Sequence, residues 1–276
     1  MTKDQKITEV LLRELDPAFA RRARFILKHL APGKNAKILD IGCGRGFYER
    51  AIACVYPSAQ VTGIDTNVKY LRVARSGMYG KSKISFLRAS GLQLPFANSL
   101  FDRIICSEVL EHVVDDDKLV KEMFRVLKPG GLVLISVPHT HYPFLWDPLN
   151  WILRYVWNTH VPSHIWWLAG IWADHVRLYT MESLRQLLIS KKFRVIYAWY
   201  ATHRTVPFSH FLLYGIGKNL VEHGIVTSGN RFDQGKNSPT WFFHLAHALM
   251  YCRDRDNDHR LHDASASVNL ILVVKR

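Results

Sequence analysis

Gly42, Gly44 and Gly46 stand in ILDIGCGRGFYER at the junction of a predicted strand and a predicted helix. Glycines there let the backbone turn sharply and approach a ligand with no Cβ atoms in the way, while the helix offers its positive N-terminus. Asp65 ends the next predicted strand, 19 residues after Gly46. A doubly wound sheet would bring its carboxylate beside the glycine turn, in reach of two ribose hydroxyls, which suits an adenosine-containing ligand. A dinucleotide fingerprint is not met: GxGxxG counted from Gly42 finds Phe47 at the third glycine, and counted from Gly44 finds Glu49.

The elements that must position these residues are legible from Lys37 to Pro138, where short β-rich runs alternate with amphipathic stretches, the mark of βαβ units and a parallel sheet. Strands are predicted at AKILDI, QVTGID, ISFLRA, FDRIICS and LVLISVP. Helices are predicted at FYERAIACVY, NVKYLRVARS and DDDKLVKEMFRVL, the last ending in KPGG, a helix stop and turn. Further on, TMESLRQLLIS reads as a helix with Thr180 as N-cap and Glu182 near the positive end of its dipole. FRVIYAWYA follows as a strand, SHFLLYGIGKNLVEHG and PTWFFHLAHALMYCRD are amphipathic candidates, and SVNLILVVKR closes the chain as a strand. The expected organisation is an N-terminal helical segment over 1–35, a core over 36–202 and 265–276 with an aromatic insertion at 140–173, and a helical insertion over 203–264.

With 276 residues, 48% of them apolar, the chain is a globular protein and neither disordered nor collagen-like. Its 37 Lys and Arg against 23 Asp and Glu give a formal charge of +14, which favours anionic company: nucleic acid, lipid headgroups or a phosphorylated substrate. Cys43, Cys54, Cys106 and Cys252 form no CxxC pair, so a disulfide framework or cysteine zinc site is not suggested and a reducing, cytoplasmic location is expected. The N-terminus lacks the uninterrupted apolar core of a secretory signal. The most apolar stretch, 142–173, is broken by Asp147, Asn150, Arg154, His160 and His164, which leaves no span able to cross a bilayer.

ILDIGCGRG, VTGID, LQLPF, FDRIICSEVLEHV and LKPGGLVLISVP together resemble, in order and spacing, the class I S-adenosylmethionine-dependent methyltransferases, closest to the ubiquinone-pathway-like, type 11 group. The likeness is strong over 36–138 and looser over HVRLYTMESLRQLL. It implies an α/β, Rossmann-like, doubly wound seven-stranded sheet with the last strand antiparallel, here carrying helical insertions, and an S-adenosylmethionine cofactor. Carried onto this chain, Gly42, Cys43, Gly44 and Gly46 would line the methionine part, Asp40 would fix its ammonium, and Asp65 would accept from the ribose. Ser90 falls where many relatives place an aspartate toward the adenine amino group, and it can accept a hydrogen bond without charge. Cys106 and Ser107, ending the fourth strand, would lie under the sulfonium region.

Methyl transfer needs alignment, exclusion of water and a deprotonated acceptor, for which a base or metal helps most when the acceptor is a hydroxyl. SEVLEHV supplies Glu108, Glu111 and His112 just after the fourth strand, and DHVRLYT supplies His175. The constellation resembles ubiquinone-pathway O-methyltransferases and also the methyltransferases of small-RNA 3′ ends. In the latter a Glu, Glu, His, His set holds a divalent metal, here Glu108, Glu111, His112 and His175; the alternative is that LEH orients the next helix without metal. Glu111, His112 and His175 are therefore acid–base candidates. His139 and His141, after the fifth strand, are further base candidates, with a solvent-exposed loop as the alternative. His244 and His247 are assigned no role.

Trp146, Trp151, Trp157, Trp166, Trp167 and Trp172, six of the eight tryptophans, fall between 146 and 172. They could form a lid over a greasy substrate, an interfacial element at headgroup depth, or packing against the sheet. Arg21, Arg22, Arg24 and Lys28 on the N-terminal segment could attract anionic lipid, with a solvated helix face as the alternative. The expected function is methyl transfer to oxygen of a hydrophobic or membrane-associated small molecule, in the cytoplasm or peripherally at the inner membrane face. The alternatives are metal-assisted RNA 2′-O-methylation and a cofactor-binding protein without catalysis; nucleic acid is the less favoured partner because the tryptophans lie among aliphatic residues.

Overall fold

The computed structural model describes residues 1–78, 83–162, 164–165, 168–204, 206, 241–252, 254–257, 260 and 265–275. Seven strands form one sheet: β1 (Lys37–Ile41), β2 (Gln60–Asp65), β3 (Ile84–Arg88), β4 (Phe101–Ser107), β5 (Leu127–Pro138), β6 (Phe193–Ala201) and β7 (Val268–Lys275). Their order is β3-β2-β1-β4-β5-β7-β6, and β7 alone runs antiparallel to its neighbours β5 and β6. This is the doubly wound, Rossmann-like sheet expected of the class, with the order reversing between β1 and β4.

Both faces of the sheet are covered, so the strands alternate between two apolar cores instead of between core and water. Leu39, Ile41, Ile104, Cys106, Val133 and Ile135 face one core, closed by Leu119, Val120 and Met123 of α5 (Asp116–Val126) and Leu184 and Leu188 of α7 (Met181–Ser190). Ile38, Ile105 and Leu134 face the other, closed by α1 (Lys3–Leu11), α2 (Pro17–Leu30) and α3 (Phe47–Val55). The fourth helix, α4 (Val68–Ser76), buries Leu71 and Ala74. Thr180 caps α7 as expected, accepting from the Ser183 backbone.

Three local readings change. KPGG does not form a separate turn: β5 begins at Leu127, and the segment is absorbed as an irregularity where Phe101 pairs with Leu127 but Arg103 with Leu132, Gly130 taking φ +72°. The N-terminal segment is two helices; α1 is closed by a capping box between Thr2 and Gln5, and α2 begins at Asp16–Pro17. Its basic residues are not a free cationic face. Arg21 pairs with Asp254 at 2.9 Å, Arg24 donates to Thr8 Oγ1 at 3.1 Å, and Arg22 is buried against Glu108 at 3.5 Å. Of the four, Lys28 stays an exposed charge with its own backbone carbonyl accepting from Lys3.

The aromatic insertion is a folded unit built on two buried polar residues. Asp147 caps α6 (Pro148–Trp157), accepting from the Asn150 backbone at 3.2 Å, and its Oδ2 accepts from Asn150 Nδ2 at 2.7 Å and from Ile171 N at 2.9 Å. Asn150 in turn accepts from Val161 N at 2.8 Å and donates to Ala169 O at 3.0 Å. Gly170, at φ +54°, has the Asp147 carboxylate where a Cβ would stand. Trp146 packs with Tyr142 and Ile171 against Ala18 of α2, and Trp151 and Trp172 border that cluster. Trp157 points outward at 64% exposure, beside Val156 and Tyr155. Packing thus accounts for part of the tryptophan cluster and leaves an exposed apolar end; Trp166 and Trp167 lie outside the described residues. The candidate 209–224 also lies outside them, whereas α8 (Trp241–Tyr251) falls where the second amphipathic run was expected, its Tyr251 hydroxyl donating to Glu14 O at 3.0 Å.

Replacing Asp147 by Ala strips three donors of their buried acceptor, and the expected loss is about 2–4 kcal/mol. Urea denaturation of Asp147→Ala beside the unaltered protein measures it; a difference under about 0.5 kcal/mol would mean that Asp147 does not hold the insertion.

Candidate active site

The glycine turn is hydrogen-bonded onto the tip of β2. Gly42 N and Cys43 N both donate to Ile64 O, at 2.8 and 2.9 Å, and Gly44 N donates to Asp65 Oδ2 at 2.9 Å. All three glycines have positive φ, between +53° and +78°, the region closed to most side chains. Gly42 is also constrained from outside, since a Cβ there would meet Val109 Cγ2 at 2.5 Å. Asp65 holds the next turn too, its Oδ1 accepting from Asn67 N at 2.7 Å, and Asn67 caps α4. The two features read as one adenosine site are therefore joined directly.

Beneath the turn lie more acids than expected. Asp40 and Glu49 are both fully buried, and neither oxygen of Glu49, nor Oδ2 of Asp40, meets a hydrogen-bond partner. Glu49 Oε1 occupies the space that a Cβ on Gly63 would need, and Cys43 closes on the same glycine. Burial, reinforced by the neighbouring Glu49 charge, pushes the Asp40 carboxyl well up, and burial pushes Glu49 up to about 7. The Cys43 thiol is pushed up by burial and by Glu49. Ser90 is an exposed loop residue after β3, with Oγ accepting from Leu92 N at 3.2 Å. Cys106 is wholly within the core and packs below the site, with its thiol raised by burial.

At the ends of β4 and β5 a polar chain runs Tyr48, Ser107, Ser136, Glu108: Tyr48 Oη lies 3.2 Å from Ser107 Oγ, Ser107 Oγ 2.8 Å from Ser136 Oγ, and Ser136 Oγ donates to Glu108 Oε1 at 3.0 Å. Arg22 reaches the other Glu108 oxygen from α2. Glu108 itself sits at φ +56°, uncommon for a residue with a side chain.

The short helical turn Leu110–His112 carries Glu111 and His112, and the segment after the insertion brings His175 alongside through Val176 N donating to Glu111 O at 2.8 Å. Among the described residues Glu111, His112 and His175 offer ligand atoms that all lie within 4.8 Å of one another. Both Glu111 oxygens are buried without a donor, and burial, then the Glu108 charge, raises its carboxyl well above the ordinary range. His112 Nδ1 lies 2.8 Å from Asp174 O, a contact that fixes the ring and aims Nε2. Of the expected four, Glu108 is held by Ser136 and Arg22, and the other three converge. His139 is no loop residue but fully buried, Nδ1 3.0 Å from Tyr179 O, and outside the group, while His141 is exposed with its ring 5.3 Å from that of His139. Glu49, Tyr48 and Arg22 were not expected at the site. The only sequence signal for Glu49 was a carboxylate in the first turn of an otherwise apolar helix directly after the glycines.

The sheet order and its helices define a Rossmann-like α/β fold of the kind found in class I methyltransferases. Residues 39–135 match a family described as a methyltransferase domain, which bears out the likeness of the motifs. Among curated relatives, an uncharacterized methyltransferase of Mycobacterium leprae is 37% identical over 108 residues, 39% of each chain. The ubiquinone/menaquinone biosynthesis C-methyltransferase UbiE of Pasteurella multocida is 37% identical over 138 residues, 48% of this chain and 50% of that one. A demethylmenaquinone methyltransferase of Staphylococcus aureus is 34% identical over 110 residues, 40% and 46% of the two chains. The chain thus spans half or less of the length of these relatives. Among solved structures, phosphoethanolamine N-methyltransferase 2 of Haemonchus contortus, in complex with S-adenosyl-L-methionine, superposes with a TM-score of 0.57 at 20% identity, over 99% of this chain and 57% of that one. A Bacillus protein, YcgJ, superposes with a TM-score of 0.54 at 20% identity, over 91% and 97%. These likenesses establish the fold.

Proposed function

We propose that the protein transfers a methyl group from S-adenosylmethionine to an oxygen of a lipophilic small molecule. The observation that carries the cofactor half is the hydrogen bond from Gly44 N to Asp65: the glycine turn and the ribose-binding carboxylate form one unit at the point where the strand order reverses. When bound, the cofactor supplies a methyl already activated on a sulfonium. The chain's own residues hold it, exclude water and take the acceptor's proton. The N-terminus of α3 faces the amino-acid end, and Asp65 has the geometry to exchange its backbone donors for ribose hydroxyls. His112, its Nδ1 fixed by Asp174 O, presents Nε2 as the base, with the Glu111 carboxyl, raised by burial and by the Glu108 charge, beside it.

The acceptor class is supported by the quinone-pathway relatives and by the exposed apolar residues Phe144, Leu145 and Ile152 of the insertion. One relative's printed name is that of a C-methyltransferase, so product analysis with an isotopically labelled methyl donor distinguishes oxygen from carbon. RNA is less favoured, because the basic residues Arg21, Arg22 and Arg24 are engaged within the protein. No helix among the described residues is long and apolar enough to cross a membrane, and the peripheral membrane reading rests on the exposed end of α6.

Calorimetry with S-adenosylhomocysteine is expected to show binding that Asp65→Ala weakens about 100-fold, the loss of charged hydrogen bonds worth about 2–3 kcal/mol; unchanged affinity would defeat the ribose assignment. The exposed aromatic end gives a second measurement. Trp157→Ala should lower co-flotation with vesicles of anionic phospholipid at least threefold while leaving S-adenosylhomocysteine binding intact, and equal flotation of the two proteins would remove α6 from the membrane reading.

A metal-assisted variant of the same transfer is favoured by one observation, the Glu111, His112 and His175 group with its buried, donor-free carboxylate. One carboxylate and two imidazoles fit a divalent ion of mixed oxygen and nitrogen preference, which would polarise the acceptor oxygen. Titration with manganese or zinc should then give one site per chain that His175→Ala abolishes; absence of saturable binding leaves these residues to proton transfer alone.

A further inference from the structure

Asp40 on β1 and Glu49 on α3 are each buried to within 1% of their surface and are close enough to interact directly. Ionised carboxylates accept hydrogen bonds and donate none. Three of their oxygens meet no donor, so with both groups charged the protein would hold two adjacent negative charges in a dry site with nothing between them. A single proton removes the repulsion and supplies the missing donor, the arrangement of any carboxylate pair too close for both to ionise. Other charged or titratable groups facing the pair are Asp65 at the tip of β2, the Cys43 thiol in the turn, the Cys106 thiol on β4, and Tyr48 and Arg50 on α3. Asp65 and Cys43 add no positive charge. Arg50, on the same helix, favours the ionised form of Glu49 by its charge but does not cancel the effect of burial, and its guanidinium also donates to Arg45 O at 3.0 Å.

We propose that Glu49 is a positioning residue for the cofactor's amino-acid end: with Asp40 it holds one proton beneath the glycine turn and releases it to solvent when the cofactor's ammonium group arrives. The inference rests on the S-adenosylmethionine reading and deepens it. Charge balances without any other partner, since one proton leaves as one ammonium enters, and no bond to carbon or sulfur changes. Glu49 acts through Asp40, which the family likeness sets toward the ammonium; its own carboxylate fills the gap left by the absent side chain of Gly63 and so keeps the store directly below the turn.

The sign of the pH effect follows. Glu49 is pushed up to about 7 and Asp40 is raised as well, so a pair that must give up a proton to bind the cation binds it more tightly as the pH rises and more weakly as it falls. Between pH 6 and 8, S-adenosylhomocysteine should bind about tenfold more tightly at the higher pH. 5′-Methylthioadenosine, which has the nucleoside and thioether but no amino acid, should bind with less than a twofold change. Calorimetry at pH 6 in two buffers of different ionisation enthalpy should count close to one proton released with S-adenosylhomocysteine and none with 5′-methylthioadenosine. Glu49→Gln should reduce the pH dependence for S-adenosylhomocysteine to less than twofold; should that variant not fold, the proton count on the unaltered protein decides alone. If both nucleosides bind but no proton is released, or if Glu49→Gln keeps the tenfold dependence, this inference is overturned and the cofactor reading survives. If neither nucleoside binds, both fall together.

Discussion

Everything functional in this protein depends on a three-residue turn being hydrogen-bonded to the strand beside it. Gly42 N and Cys43 N converge on one carbonyl, Ile64 O, and Gly44 N reaches the carboxylate one residue further on. Only backbones without side chains can take the required positive φ values three times within five residues, and Val109 leaves no space above Gly42. The turn therefore sets where α3 starts, and α3 in turn sets the burial of Tyr48 and Glu49. Tyr48 then anchors the chain of hydroxyls that ends at Glu108. Geometry fixed at β1 and β2 is thus transmitted across β4 to β5 by contacts of less than 3.3 Å.

Above this base, α2 and the aromatic insertion meet as a roof. Ala18 lies against Trp146 and Tyr142, and Arg22 enters from the same helix to meet Glu108. A guanidinium buried from an N-terminal helix is an expensive way to hold that helix down, because its desolvation must be matched by good partners. What it adds is direction: the Glu108 carboxylate, on a left-handed backbone, is held between Arg22 of α2 and Ser136, while its charge still acts on Glu111.

The sheet was legible because its signals are local. Strand runs bounded by turns, helical spacing between them and a glycine-rich first turn are all read within about fifteen residues, and all seven strands fall where they were expected. KPGG was read as a turn because Pro and Gly end helices; its pairing with Phe101 depends on β4, which lies outside any local window. Arg22 was misread by its charge, although its spacing from Phe19 and Ile26 already put it on the buried face of α2. Glu49 was noticed only as a failure of a fingerprint. Its role comes from Gly63, fourteen residues away on another strand, and glycine as empty space is invisible until the neighbour that fills it is known. Of the four-residue acid and histidine set, Glu111, His112 and His175 converge, while Glu108 stands at a positive φ that cannot be seen in the residue type.

The insertion closes on itself through Asp147 and Asn150, and this has an evolutionary consequence. Because the loop's shape is held by two interior side chains and one glycine, its outer residues are relieved of structural duty. Substitution on that outer surface leaves the sheet and the glycine turn untouched, so what the insertion presents to its surroundings can change independently of the core.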